Sequence, residues 1–500
     1  MKIKEMVVKA RDLLADPVTG LVFGILVLLY KVIYTIVPVR AFIQNSGLSF
    51  ISSAQAVICF VLLLLALFVK PDRLLRKEMI IPWILLLALF LSTITNIGKN
   101  LEGNIRTIVW QADLMLLIYS SYIYLGEASS ANVHKLQEHK IAYPIIKYGT
   151  YILLTILNVA FLVSLFYFFR LYYGEVITDM DFFYQGLYEG RLYGVFTTPY
   201  HAALISSLSA ITFLFFILNS SGIKKAIFVI SFIMAASVAV LSDTRAVWLG
   251  VYVASTIVIA MILLEKSYWN KNIQRKILSV VLALLFTVGL YMFRTIYHRS
   301  LNNLALIANK TDMVASTAGS DFNNSEANLN RPDANGNISS NRIWIWQDYI
   351  HVLLDRPDKL IFGYSPREYM EYINTNYEDL YIVQYYRYKY SFYYIRQHDV
   401  YAAHNSILTV LISTGIAGLL PLILLAYKTL KQAFEHYHSG NFKTSDYCAF
   451  FALITIVTGM MFESDVFYQA NTTSLVFWML LGYLRGRIHK NEKKGTQESI

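Results

Sequence analysis

Apolar residues along this 500-residue chain come in long blocks, not in alternation with polar ones. Clear examples run from Leu26 to Val39, Ala54 to Val69, Ile80 to Leu91 and Ala246 to Leu264. A helix needs about 20 mostly apolar residues to cross a bilayer, so blocks of this length predict membrane spans. Twelve are predicted: 20–39, 51–69, 79–97, 107–125, 149–169, 199–218, 226–242, 246–264, 277–293, 405–427, 446–462 and 473–486. The strands of about ten residues with alternating polarity that would mark an outer-membrane barrel are absent from the pattern. The expected fold class is therefore an all-α polytopic membrane protein.

One connection is unlike the rest. Residues 294–404 form a loop of about 110 residues. It is turn-rich from Ser316 to Asn341. An amphipathic helix is predicted over Arg342 to Leu354, where Ile343, Trp346, Ile350 and Leu353 recur at three- and four-residue spacing. Asp355-Arg356-Pro357 stops it, and Gly363-Tyr364-Ser365-Pro366 reads as a turn. Twelve tyrosines lie between Tyr364 and Tyr401. They suit either a glycan groove, with rings stacked on sugars, or an aromatic belt at the leaflet surface. The chain thus divides into a bundle over 1–293, a loop with short helices over 294–404, further spans over 405–486, and a basic tail over 487–500.

Composition agrees, with 56% hydrophobic and 15% charged residues, against about 25% charged in soluble domains. The two cysteines, Cys59 and Cys448, fall in apolar runs and offer neither a disulfide framework nor a cysteine zinc site. A net charge of +10 needs no nucleic-acid partner, because Lys and Arg collect on the cytoplasmic side of membrane spans. With a cytoplasmic N-terminus, the inner connections and tails carry 25 Lys and Arg; the short outer loops carry only Arg40, Lys99, Arg106, Arg170, Arg191 and Arg245. Both termini are expected in the cytoplasm and the 294–404 loop in the periplasm. The first apolar run is too long for the core of a cleaved signal, and is expected to stay as span one.

Three arginines stand close to span ends on the expected outer side. Arg191 lies just before span six, Arg245 in the tight turn between spans seven and eight, and Arg342 at the head of the amphipathic segment. Guanidinium forks onto phosphate oxygens, so a group of them suits a lipid-linked diphosphate. The competing reading of each is a headgroup anchor. His404, in the first turn of span ten, can serve as a general base near neutral pH, or can simply cap the helix. His201, Tyr364 and Asn405 are secondary candidates. Asp179-Met180-Asp181 has the spacing of a metal-binding pair, but nothing else supports one.

Four segments in order resemble the O-antigen ligase and O-antigen polymerase superfamily of bacterial envelope glycosyltransferases. They are Arg191-x-x-Gly194-x-Phe196-x-x-Pro199; Thr244-Arg245-Ala246-x-Trp248; Arg342-x-x-x-Trp346 with Pro357 and Gly363; and His404-Asn405 with Gly415 and Gly418. The resemblance covers about residues 185–427; Thr198 and Tyr200 stand where the family often has Asn. It implies a mostly helical fold of the C type (GT-C-like) and a metal-independent, inverting transferase of the bacterial inner membrane without a cofactor. The implied donor is a glycan on undecaprenyl diphosphate. The implied acceptor is lipid A–core, as for a ligase, or another lipid-linked repeat unit, as for a polymerase. His404 would be the base, with Arg191, Arg245 and Arg342 on the diphosphate. The rival class is a flippase of lipid-linked oligosaccharide. Against it, polar residues gather at the membrane edge rather than the midplane, and the large loop has no counterpart in the first half.

Overall fold

The computed structural model describes residues 2–98, 100–131, 142–178, 181–265, 273–316, 342–384 and 403–497. The turn-rich stretch over 317–341 and the tyrosines between 385 and 401 lie outside the described residues.

Every predicted span overlaps a helix, although the first, 20–39, is broken at Thr35–Ile36 between two helices, the second being Val37–Asn45. A short helix, Lys2–Leu14, precedes α1 (Pro17–Tyr34), α2 (Phe50–Val69), α3 (Ile80–Thr95) and α4 (Leu101–Ser129). α5 (Ala142–Phe169), α6 (Pro199–Leu218), α7 (Gly222–Leu241), α8 (Arg245–Glu265) and α9 (Ile273–Ser316) follow. The large loop contributes α10 (Arg342–Asp355) and α11 (Glu368–Asn376). The chain closes with α12 (Ser406–His438), α13 (Thr444–Gly459) and α14 (Thr472–Gln497).

Among the described residues, ten helices are long and apolar enough to cross a membrane. The eleventh predicted span is the 16-residue apolar helix α13. The twelfth is the head of α14, whose second half is charged. Helix α9 runs unbroken past 293, where the sequence placed the end of span nine. The tail expected from 487 lies within α14, and its first residue, Arg487, is buried and forked onto Asp446 at 2.8 and 2.8 Å. The outer surfaces of these helices suit lipid: along α9, Leu278, Leu285, Phe286 and Val288 are all exposed. Inside, small residues let backbones touch. A Cβ on Gly126 would lie 2.2 Å from the Tyr483 carbonyl oxygen, and one on Gly486 1.9 Å from that of Ile123, so α4 and α14 meet backbone to backbone.

Between α5 and α6 stands an element the hydrophobic blocks did not predict. Strands β1 (Tyr173–Ile177), β2 (Phe182–Tyr188) and β3 (Arg191–Gly194) form an antiparallel sheet in the order β1-β2-β3. Two residues, Glu189 and Gly190, join β2 to β3, both at positive φ. That is the backbone of the tight hairpin turn that matches strand twist. One face of the sheet carries Phe183, Leu187 and Leu192 in buried positions. Leu187 and Leu192 join a core with Phe161, Phe168 and Phe196. Arg40 and Gln44 reach Asp181 at 2.5 and 2.6 Å, fixing the sheet to the short helix Val37–Asn45 that follows α1. Asp181 is thus a structural anchor, and Asp179 lies outside the described residues.

Helix α12 is broken at Gly415, whose φ is +62°. The segment from Leu360 to Ser365 fills the break. Tyr364 and Ser365 donate their N–H groups to the carbonyls of Ile412 and Ser413, at 2.8 and 2.9 Å. Ile416 and Ala417 donate to those of Leu360 and Ile361, at 2.9 and 3.0 Å. A broken helix in a membrane protein is tolerated where the freed backbone groups find partners, and here the loop supplies them. A Cβ on Gly415 would sit 2.3 Å from the Ile361 carbonyl oxygen, so only glycine admits the approach.

Candidate active site

The head of α6 is set by Thr198, whose hydroxyl accepts the His201 N–H at 3.1 Å, with Pro199 in the first helical position. The His201 ring places Nδ1 3.0 Å from the Thr197 hydroxyl and Nε2 3.5 Å from the Asp465 carboxylate. Just upstream, Val37 donates its N–H to the Val195 carbonyl and Thr197 to that of Thr35, at 2.7 and 2.9 Å, pinning β3 and its sequel to the end of α1.

The turn before α8 is fastened from two sides. Thr244 donates its hydroxyl to the Pro199 carbonyl at 3.0 Å, tying it to α6. Asp243, at φ +43°, pairs with Arg294 of α9. The Arg294 guanidinium also lies 5.2 Å from the Trp248 ring centre. Arg245 is therefore presented by a turn fixed against both neighbouring helices.

The head of α12 is capped by Asn405, whose side chain accepts the N–H groups of Ile407 and Leu408 at 2.9 and 3.1 Å. The loop from Met460 to Asn471, between α13 and α14, packs against this cap. Ser406 donates its N–H to the Met460 carbonyl at 2.8 Å and its hydroxyl to the Glu463 carbonyl at 2.8 Å. Asn405 donates its N–H to the Ser464 hydroxyl at 3.2 Å. Directly before the cap, His404 has φ +45°, a left-handed conformation that a side chain with a Cβ rarely takes. Such outliers persist where surrounding contacts enforce them, and they concentrate at functional sites.

Those contacts converge on one carboxylate, Glu463. His404 Nδ1 lies 3.1 Å from Glu463 Oε2, and Arg342 donates to Glu463 Oε1 at 2.6 Å. One turn further along α10, Trp346 donates its indole N–H to the Ala403 carbonyl at 3.1 Å. The Arg342-x-x-x-Trp346 spacing is thereby explained: one side chain holds the carboxylate, the other the backbone beside His404. Burial alone would raise the Glu463 carboxyl. The hydrogen bond and charge of His404, with the charges of Arg342 and His201, outweigh that and hold it below its usual range.

The structure thus brings His404, Asn405, Arg342 and His201 against one short loop. Arg245 stands on the neighbouring turn and Arg191 on β3, which runs directly into the head of α6. Tyr364 is placed elsewhere. It is 2% exposed in the large loop's own core and donates its hydroxyl to the Val352 carbonyl at 3.3 Å. Its part is to brace the loop against α12. Glu463 and Asp465 are the residues sequence reasoning missed. Their signal was two acids two positions apart in a short connection on the charge-poor side. Among the described residues, no three His, Cys, Asp or Glu side chains converge as metal ligands would.

A family model described as O-antigen ligase matches residues 230–423. The match takes in the Arg245 turn, Arg342 and the His404 head of α12; Arg191, His201 and Glu463 lie outside it. No curated protein matches the chain.

Proposed function

We propose, from the match of residues 230–423 to a family model described as O-antigen ligase, that this chain is a multi-pass membrane glycosyltransferase that transfers a glycan from undecaprenyl diphosphate to lipid A–core. The reaction takes place at the periplasmic face of the bacterial inner membrane. The observation that supports it most is the trio Arg342, Glu463 and His404 at the head of α12, which builds an oriented base.

The chemistry follows from those contacts. Donation of the Nδ1 proton to Glu463 fixes the tautomer in which Nε2 carries the lone pair. Nε2 then takes the proton of the acceptor hydroxyl as its oxygen attacks the anomeric carbon. The bond to the diphosphate oxygen breaks, and undecaprenyl diphosphate leaves. Glu463 stabilises the imidazolium that forms, as a carboxylate does in other oriented histidine bases. Arg191 and Arg245 hold the diphosphate, where charge develops as the bond breaks. Arg342 has five N–H donors, so one can tether Glu463 while others meet phosphate oxygens. One displacement inverts the anomeric centre, and the residues named carry the step without a metal.

The test is purified protein in detergent with lipid-linked donor and lipid A–core. Glycan on the core is the expected product. Glycan transferred to a second donor molecule instead would make the chain a polymerase. Turnover that requires a sealed vesicle would make it a transporter.

A further inference from the structure

We infer that the small β-sheet carries a glycan-binding platform, built from the rings of Tyr173, Tyr184, Tyr188 and Tyr193 on the side away from the bundle. The sheet is two-faced. Phe183, Leu187 and Leu192 are buried beneath it, whereas all four tyrosines are only partly buried. Their rings form one contiguous group. Tyr184 and Tyr188 stack at 3.8 Å with planes 9° apart, and Tyr173 stacks on Tyr188 at 5.7 Å. Tyr193 stands edge-on to Tyr184 and Tyr188, at 5.8 and 6.0 Å. Ring faces are electron-rich and attract C–H edges, and the phenol hydroxyls add hydrogen-bonding groups. A pyranose offers both C–H faces and hydroxyls.

Three further observations favour sugar over lipid as the occupant. The patch is dominated by tyrosines, four hydroxyl-bearing rings beside the single phenylalanine ring of Phe182, which stands edge-on to Tyr184 at 4.9 Å. The exposed carboxylates Glu175 and Glu189 flank it, and they repel anionic headgroups while accepting hydrogen bonds from sugar hydroxyls. The Tyr173 hydroxyl already bonds to Glu175. Continuity is the third. Tyr188 is paired in register with Arg191, and β3 leads through Val195 and Thr197 to His201. The sheet is also rigidly held, by Asp181 at one end and by the Val37–Val195 hydrogen bond at the other. A sugar chain lying on it would be steered toward the head of α6.

The inference rests on the reading that both substrates carry glycans, and it does not depend on which of them the platform receives. Two probes separate the sources: core oligosaccharide and O-polysaccharide repeat oligosaccharide, each freed of lipid and diphosphate. Binding is measured by saturation-transfer NMR on the full chain in nanodiscs. One of the two should bind, and Tyr184→Ala with Tyr188→Ala should weaken it at least about tenfold, whereas Tyr184→Phe with Tyr188→Phe keeps the rings and most of the binding. Arg245→Ala, which leaves the sheet intact, should bind the oligosaccharide as wild type does. Should the alanine pair fail to fold, a spin label on Tyr188→Cys gives the answer. It should be reached by an aqueous nickel chelate and shielded when oligosaccharide is added. Absence of binding by both probes, wild-type binding in a folded alanine pair, or a label reached only by oxygen within the bilayer overturns the platform. Oligosaccharide binding without transfer would instead leave the platform standing and remove the transferase reading.

Discussion

At Glu463 a single carboxylate joins His404, at the head of α12, to Arg342 from the large loop. Its depressed pKa has a direct consequence. A carboxylate held below its unfolded value stabilises the fold above that value, about pH 4, and loses the contribution as pH falls through the folded one. Melting temperature measured from pH 6 down to pH 3 should therefore drop less steeply in Glu463→Gln than in wild type. The same variant leaves His404 without a charged partner, and turnover should fall by roughly 10- to 100-fold with donor binding retained. Arginine at 245 is tested by geometry rather than charge. Arg245→Ala should abolish transfer in protein that still reaches the membrane, and Arg245→Lys should recover little, since an ammonium does not replace a fork. His404, Arg342 and His201 were legible in the sequence because polar groups at span ends stand out against apolar blocks. Glu463 and Asp465 were not, because the bias that sorts loops by side follows Lys and Arg and is nearly blind to acids.

At the scale of elements, the break in α12 is the feature on which the site's placement depends. Hydrogen bonds from Leu360–Ser365 hold the upper half of that helix, and His404 sits at its head. Gly415→Ala would force a Cβ against the Ile361 carbonyl at a φ that disfavours it. The cost should be about 1–3 kcal/mol or more, visible as lower folded yield in detergent and an earlier melt. The sequence showed Gly363 and Gly415 as two separate glycines; only the fold shows that they face each other across one joint. The three-stranded sheet escaped for a different reason. Its strands are four to seven residues long and lie in a connection between two strong spans. Its alternation is confined to one buried row, too short to stand out beside helical blocks of 20 residues. The helices themselves were readable in position, since hydropathy locates them with little help from tertiary contacts, but not in length: α9 and α12 continue well past their predicted ends.

For the whole molecule, the charge asymmetry sets the expected orientation. Alkaline phosphatase fused after residue 330 should be active and after residue 440 inactive; the reverse for either fusion would invert the topology. The end expected to face inward has its own fastening, in which Asp446 receives the Arg487 fork and His436 lies 3.6 Å away. That end joins α12, α13 and α14, the helices whose other end frames His404 and Glu463. A division of labour is proposed at that other end: His404 moves a proton, whereas Arg245 holds the diphosphate. It is tested most directly by measuring donor binding and turnover on purified His404→Ala and Arg245→Ala in the same detergent. His404→Ala should lose turnover by about 10² to 10⁴ and keep donor binding, while Arg245→Ala should lose donor binding itself. Turnover within about threefold of wild type in His404→Ala, or a loss of donor binding there as deep as in Arg245→Ala, would contradict it.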